Sequence, residues 1–138
     1  MKGIYVLDAC ALIALLRNEP GADIIEQLIK DTFGREVKIY MNKVNLLEIY
    51  YDAYRSYDGK TADRLLANII RLPIEFRADI SDEVMREAGR LKAIYRISLA
   101  DSVALAEASV LKASLLTADH HEFDVIEKSE QISFCWIR

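Results

Sequence analysis

The stretch "GIYVLDACALIALLR", residues 3–17, joins two periodicities at one aspartate. Residues 3–7 are a short apolar run rich in β-branched and aromatic side chains, as in a buried strand. Residues 9–17 are a block of Ala, Leu and Ile with the composition of a helix. Asp8 stands between them, where its residue type suits a helix N-cap. A strand that feeds directly into a helix is the opening of a β-α-β unit, so the test of the fold is whether the pattern recurs.

It recurs along the chain. "ADIIEQLIKDTF" (22–33) sets Ile25, Leu28, Ile29 and Phe33 at helical spacing between the "EPG" break and Gly34, and "EVKIYM" (36–41) follows as a second strand. Asn42 is the expected cap of the helix "KVNLLEIYYDAYRSY", which should end at a turn at Asp58 and Gly59. A further helix, "TADRLLANIIRL", stops before Pro73. "IEF" (74–76) is a weak third strand, 81–95 a capped helix, and another helix starts after Ser98. "ASLLTA" (113–118) and "ISFCWI" (132–137) close the chain as strands. Strands alternating with helices, and no tight hairpins between strands, predict an α/β fold: a mostly parallel sheet of about five strands flanked by helices on both faces.

With 138 residues and no repeat, low-complexity tract or linker, the chain is expected to be a single domain over 1–138. Hydrophobic residues at 52% and charged residues at 29% exclude a disordered chain. No apolar stretch approaches the roughly 18 residues of a membrane span, and Asp8 interrupts the N-terminal apolar run too early for a signal peptide. Cys10 and Cys135 lie in apolar surroundings without metal-ligand spacing, so both are expected as reduced core residues of a soluble, cytoplasmic protein. The net charge of −4 does not advertise a broad nucleic-acid-binding face, although a local basic patch is compatible with it. Arg17, Lys43, Arg55, Lys60 and Arg96 are the basic residues expected nearest such a patch.

In a doubly wound sheet the loops leaving the C-terminal ends of the strands gather on one edge, where ligands bind. Asp8 follows the first strand and Asp119 the "SLLT" strand. Glu48 lies about two turns into the helix leaving strand two, within reach of the same edge. Asp101 opens the helix that leads into the 114–117 strand, so it starts beside that strand's C-terminal end. Each acid alone has a plain structural explanation. Asp8 and Asp119 suit N-caps, Asp119 with Glu122 spells a capping box, Ser98 and Asp101 have similar spacing, and Glu48 could face solvent. Four carboxylates on one edge, however, repel one another, a cost that a divalent cation removes. Oxygen donors without His or Cys support point to Mg²⁺ or Mn²⁺, and such ions promote phosphodiester hydrolysis.

The motifs "VLDACALIALL", "MNKVNLLEIYY", "ISLADSVALAEA" and "LLTADHHEF", in this order, resemble the PIN-domain family and in particular its VapC-type toxin ribonucleases. The resemblance spans nearly the whole chain. It implies a Mg²⁺- or Mn²⁺-dependent endoribonuclease with Asp8, Glu48, Asp101 and Asp119 as metal-binding acids, an RNA substrate, neutralisation by a small cognate antitoxin, and a homodimer. Where the family often has Ser or Thr this chain has Asn42 and Asn45, whose amides can make equivalent hydrogen bonds. Asn45 and Thr117 are expected in supporting roles.

Other features admit weaker readings. Tyr50, Tyr54 and Tyr57 fall at helical spacing and are expected to pack half-buried, with a partner groove or base-stacking surface as the alternative. His120 and His121 are expected as surface loop residues. Cys10 and Arg17 are one residue too far apart for a phosphatase loop. Besides the nuclease, two other classes fit the alternation: a catalytically silent binding subunit of the same fold, and a receiver-type phosphoacceptor. The receiver requires paired acids after strand one, where this chain has Asp8 followed by Ala9.

Overall fold

A computed structural model describes residues 3–138. The elements run β1 (Gly3–Leu7), α1 (Ala9–Leu16), α2 (Ala22–Thr32), β2 (Val37–Asn42), α3 (Lys43–Ser56), α4 (Gly59–Ile69), β3 (Glu75–Arg77), α5 (Asp82–Ile94), α6 (Leu99–Leu111), β4 (Ser114–Thr117), α7 (His120–Ser129) and β5 (Ser133–Trp136). The strands form one sheet in the order β3-β2-β1-β4-β5, with every neighbouring pair parallel. The α/β class, the five strands and the helical flanks agree with the sequence reading.

Local chemistry explains where the helices begin. Side-chain oxygens accept the free first-turn N–H groups: Asp8 from Ala11 at 2.8 Å, Asn42 from Val44 at 2.9 Å, Asp58 from Thr61 at 2.7 Å, Ser81 from Val84 at 3.2 Å, Ser98 from Asp101 at 3.0 Å and Asp119 from Glu122 at 3.1 Å. Asp58 is thus a cap, and α4 starts at Gly59, where the sequence suggested only a turn. Helix α2 instead follows Gly21, which offers no side-chain cap and whose φ of +99° places it in the left-handed region. A Cβ at that position would stand 2.5 Å from the carbonyl oxygen of Ile137, so the helix start and the C-terminal segment pack backbone to backbone.

Strand alternation divides the core. Tyr5 and Leu7 of β1 face a cluster with Leu12, Ile25, Leu28, Ile49 and Ile69 from α1–α4, whereas Val6 faces Leu91, Leu105, Phe123 and Ile126 from α5–α7. Helix α6 carries an unbroken run of buried residues from Ser102 to Ala108, as its Ala- and Leu-rich sequence requires.

Several expectations need correction. Phe33 lies just beyond α2 and is largely exposed, because the helix ends one residue earlier than its apolar spacing suggests. Of the three tyrosines, only Tyr50 is half-buried; Tyr54 on α3 and Tyr57 just beyond it are exposed, since α3 turns Ile49 and Ala53 inward. Cys10 and Cys135 are free thiols but half-buried rather than fully in the core. Among the described residues, no helix is long and apolar enough to cross a membrane.

Candidate active site

Parallel strands align their C-terminal ends, and the central strand, β1, has β2 on one side and β4 on the other. The chain therefore reverses its winding direction between β1 and β4, which opens a crevice at that edge. Asp8 follows β1 immediately, and Asp119 lies two residues beyond β4. Asp101 is in the first turn of α6, and Glu48 sits on α3, which leaves β2.

Electrostatics ties the four acids together. Asp8 is almost wholly buried, at 2% exposure. Its pKa is pushed up to about 7, chiefly by loss of hydration, with further upward pressure from Asp101 and Asp119 and opposing hydrogen bonds from Thr117 and the Ala11 N–H. Asp101 is pushed up to about 6 by burial first and then by Glu48, with Asp119 and Glu122 adding to it; the Ser98 side chain pulls the other way. Burial also raises Glu48. Among the groups that most shift Asp8 and Asp101, none is cationic.

The supporting residues also lie here. Thr117, fully buried, accepts the Asp119 N–H at 3.0 Å while its hydroxyl bonds to Asp8. Asn45, one helical turn before Glu48, is 1% exposed, and neither end of its side-chain amide has a partner among the described residues. An amide buried without partners is costly, so its orphaned atoms fit a site that receives further oxygen or water ligands. The oxygen-rich donor set fits Mg²⁺ or Mn²⁺. The fit has a limit: among the described residues, no three His, Cys, Asp or Glu side chains converge closely enough to hold an ion in this arrangement. One oxygen each of Asp8 and Asp119 is occupied by a helix N–H.

Beyond the four acids, Glu122 joins the same field, and the sequence had offered it only as a capping-box partner. His120 is exposed but begins α7 instead of lying in a loop. It stacks on Trp136 with centroids 3.9 Å apart, and its two nitrogens engage Asp124 and the Arg138 carbonyl. Among the basic residues, Arg55 pairs with Asp52 at 2.8 Å and lies over the Tyr51 ring; Lys43, Lys60 and Arg96 are exposed.

The fold has well-matched counterparts among solved structures. VapBC-1 from nontypeable Haemophilus influenzae superposes with a TM-score of 0.71 at 18% identity, over 97% of this chain and 98% of that one. VapBC2 from Rickettsia felis, bound to a promoter DNA fragment, gives 0.73 at 19%, over 96% and 97%. DNA-bound VapBC from Salmonella typhimurium gives 0.72 at 16%, over the whole of both chains. Comparison with curated protein sequences finds no match. The sequence profile of the PIN domain, by contrast, matches residues 5–128, a span that runs from β1 into α7 and takes in all four acids. On that match, and with the edge they share, this chain belongs to the PIN domain family.

Proposed function

We propose that this single domain is a divalent-metal-dependent endoribonuclease, the toxin of a VapC-type toxin-antitoxin pair acting in the cytoplasm. The observation that carries the reading is the pair formed by the buried Asp8 and the half-buried Asp101, raised to about 7 and about 6 with no cation among their main influences. Ionising both together is opposed by burial and by the neighbouring acids, and a bound cation would offset that cost.

Asp8, Glu48, Asp101 and Asp119 would hold Mg²⁺ or Mn²⁺, with Thr117 fixing Asp8 and Asn45 orienting a ligand beside Glu48. The ion, once bound, stabilises charge on a phosphoryl group and makes a coordinated water more acidic. The protein's part is to hold these oxygens at one edge, exclude bulk water around Asp8, and accept the proton released as the phosphodiester is attacked. The VapBC structures of the same fold support a small antitoxin as partner, and the family resemblance supports a homodimer. The PIN-family match sets the receiver-type reading aside.

The test is cleavage of an RNA pool by purified protein with Mn²⁺, with chelator, and in the Asp8→Asn and Asp101→Asn variants. Cleavage that needs the metal and is lost in both variants is expected; full activity in either variant overturns the site. That no three His, Cys, Asp or Glu side chains converge among the described residues favours one alternative, a catalytically silent binding subunit. Calorimetry that detects no Mn²⁺ binding to the wild type would support that alternative.

A further inference from the structure

Glu107 is an acid placed where α6 should be wholly apolar. It is 2% exposed, and its neighbours Ala104, Leu105, Ala106 and Ala108 are core residues. A buried carboxylate is tolerated only when it is hydrogen-bonded. Its Oε1 accepts from Nδ2 of Asn42 at 2.8 Å, a buried bond between residues 65 apart in sequence. Asn42 is itself fully buried and uses both ends of its amide. Oδ1 caps α3 through the Val44 N–H, and Nδ2 also reaches the Asp79 carbonyl at 3.3 Å. A hydroxyl cap of the kind Ser or Thr provides could satisfy Val44 but could not span to α6 in the same way.

We propose that Glu107 is a positioning residue for the candidate active site, acting through Asn42 to fix the first turn of α3 against α6. The bond joins the helix that carries Asn45 and Glu48 to the helix that carries Asp101. Glu48 and Asp101 sense each other's charge, so their separation depends on how those two helices are docked.

An ion pair with Arg77 does not account for Glu107. The Arg77 guanidinium lies over the Tyr40 ring at 4.6 Å and approaches Glu75 at 3.5 Å. Among the described residues, Glu107 Oε2 and Arg77 Nε both lack a partner, and the two residues line a cavity of about 90 Å³ with Asp79 and Ser81. Among the described residues the carboxylate's one hydrogen bond is therefore the one to Asn42, and the link to α3 is what its burial achieves. The consequence for metal binding rests on the nuclease reading; the consequence for α3 does not.

The test uses the full chain, with folding checked by circular dichroism. Glu107→Leu removes the acceptor, and Asn42→Asp sets two carboxylates against each other. Each is expected to weaken Mn²⁺ binding by calorimetry about tenfold or more, the scale seen when groups that orient metal ligands are lost. RNA cleavage should lose kcat with little change in KM. Glu107→Gln keeps an acceptor and should bind nearly as the wild type does. The double variant Asn42→Asp with Glu107→Gln reverses donor and acceptor and should recover most of the loss; this arm also decides the matter if Glu107→Leu does not fold. Wild-type Mn²⁺ affinity in folded Glu107→Leu, or no recovery in the folded double variant, overturns the proposal. If the wild type neither binds Mn²⁺ nor cleaves RNA, the nuclease reading alone fails. Hydrogen exchange of the Val44 and Asn45 amides then reads the positioning: faster in Asn42→Asp and restored in the double variant if it holds, unchanged if it does not.

Discussion

The backbone N–H of Asp119 donates to Oγ1 of Thr117 at 3.0 Å, and the same hydroxyl bonds to the Asp8 carboxylate. One fully buried side chain thereby relates two acids that lie on either side of the β1–β4 junction. Thr117→Val keeps the shape and removes both bonds. The expected result is a stability loss of about 1–3 kcal/mol in urea titration, since a buried acceptor and donor lose their partner. Because the Thr117 bond holds Asp8 down, the variant should also need a higher pH to bind Mn²⁺ half-maximally.

Asp8 makes the metal-free protein less stable as pH rises. Its carboxyl titrates near 7 when folded against an ordinary 3.8, so between those values the native state holds a proton that the unfolded chain has released. Stability therefore falls across that window as pH increases. Asp8→Asn keeps an acceptor for the Ala11 N–H and removes the titration. The variant should match the wild type near pH 4 and exceed it above pH 7 by up to about 4 kcal/mol, taking about 1.4 kcal/mol per pH unit. Thermal unfolding with chelator from pH 4 to 8 measures this, and added Mn²⁺ should stabilise only the wild type.

Ser98 caps α6 through the Asp101 N–H at 3.0 Å, and its side chain also holds the Asp101 pKa down. Ser98→Ala should cost about 1 kcal/mol of stability. It should also move the acid limb of the cleavage–pH profile upward, because Asp101 then stays protonated to higher pH. A profile that does not move would separate the cap from the chemistry.

Gly21→Ala tests the contact between the start of α2 and the C-terminal segment. The new Cβ would meet the Ile137 carbonyl oxygen at 2.5 Å at a residue with φ of +99°. Backbone on both sides of the clash leaves little room to yield, so a loss of about 2–3 kcal/mol is expected. Guanidinium unfolding gives the value.

The alternation of strands and helices was legible because each switch of period coincides with a cap or break that the residue types reveal, as at Asp8, Asn42 and Ser98. The shared edge of Asp8, Glu48, Asp101 and Asp119 followed from that alternation alone. The exposure of Tyr54 and Tyr57 was not legible, because helical spacing gives a stripe without saying which neighbour covers it. The Asn42–Glu107 bond was missed for a related reason. Its only sequence signal is one acid inside "ALAEASV", and the partner that makes its burial tolerable lies 65 residues away. Nor could spacing show that Asp8 and Asp119 each commit an oxygen to a helix N–H.

The parallel pairing of β1 with β4, with Leu7 opposite Leu116, also fixes an order of events in synthesis. A chain leaving the ribosome N-terminus first presents β1, Asp8 and Glu48 long before the strand that completes the crevice exists. Asp101 and Asp119 arrive with that late strand. On the nuclease reading, the growing polypeptide stays harmless to the RNA that surrounds it until that strand has emerged. On the same reading, competence to cut is acquired only once β4 has paired with β1 and brought Asp119 into place.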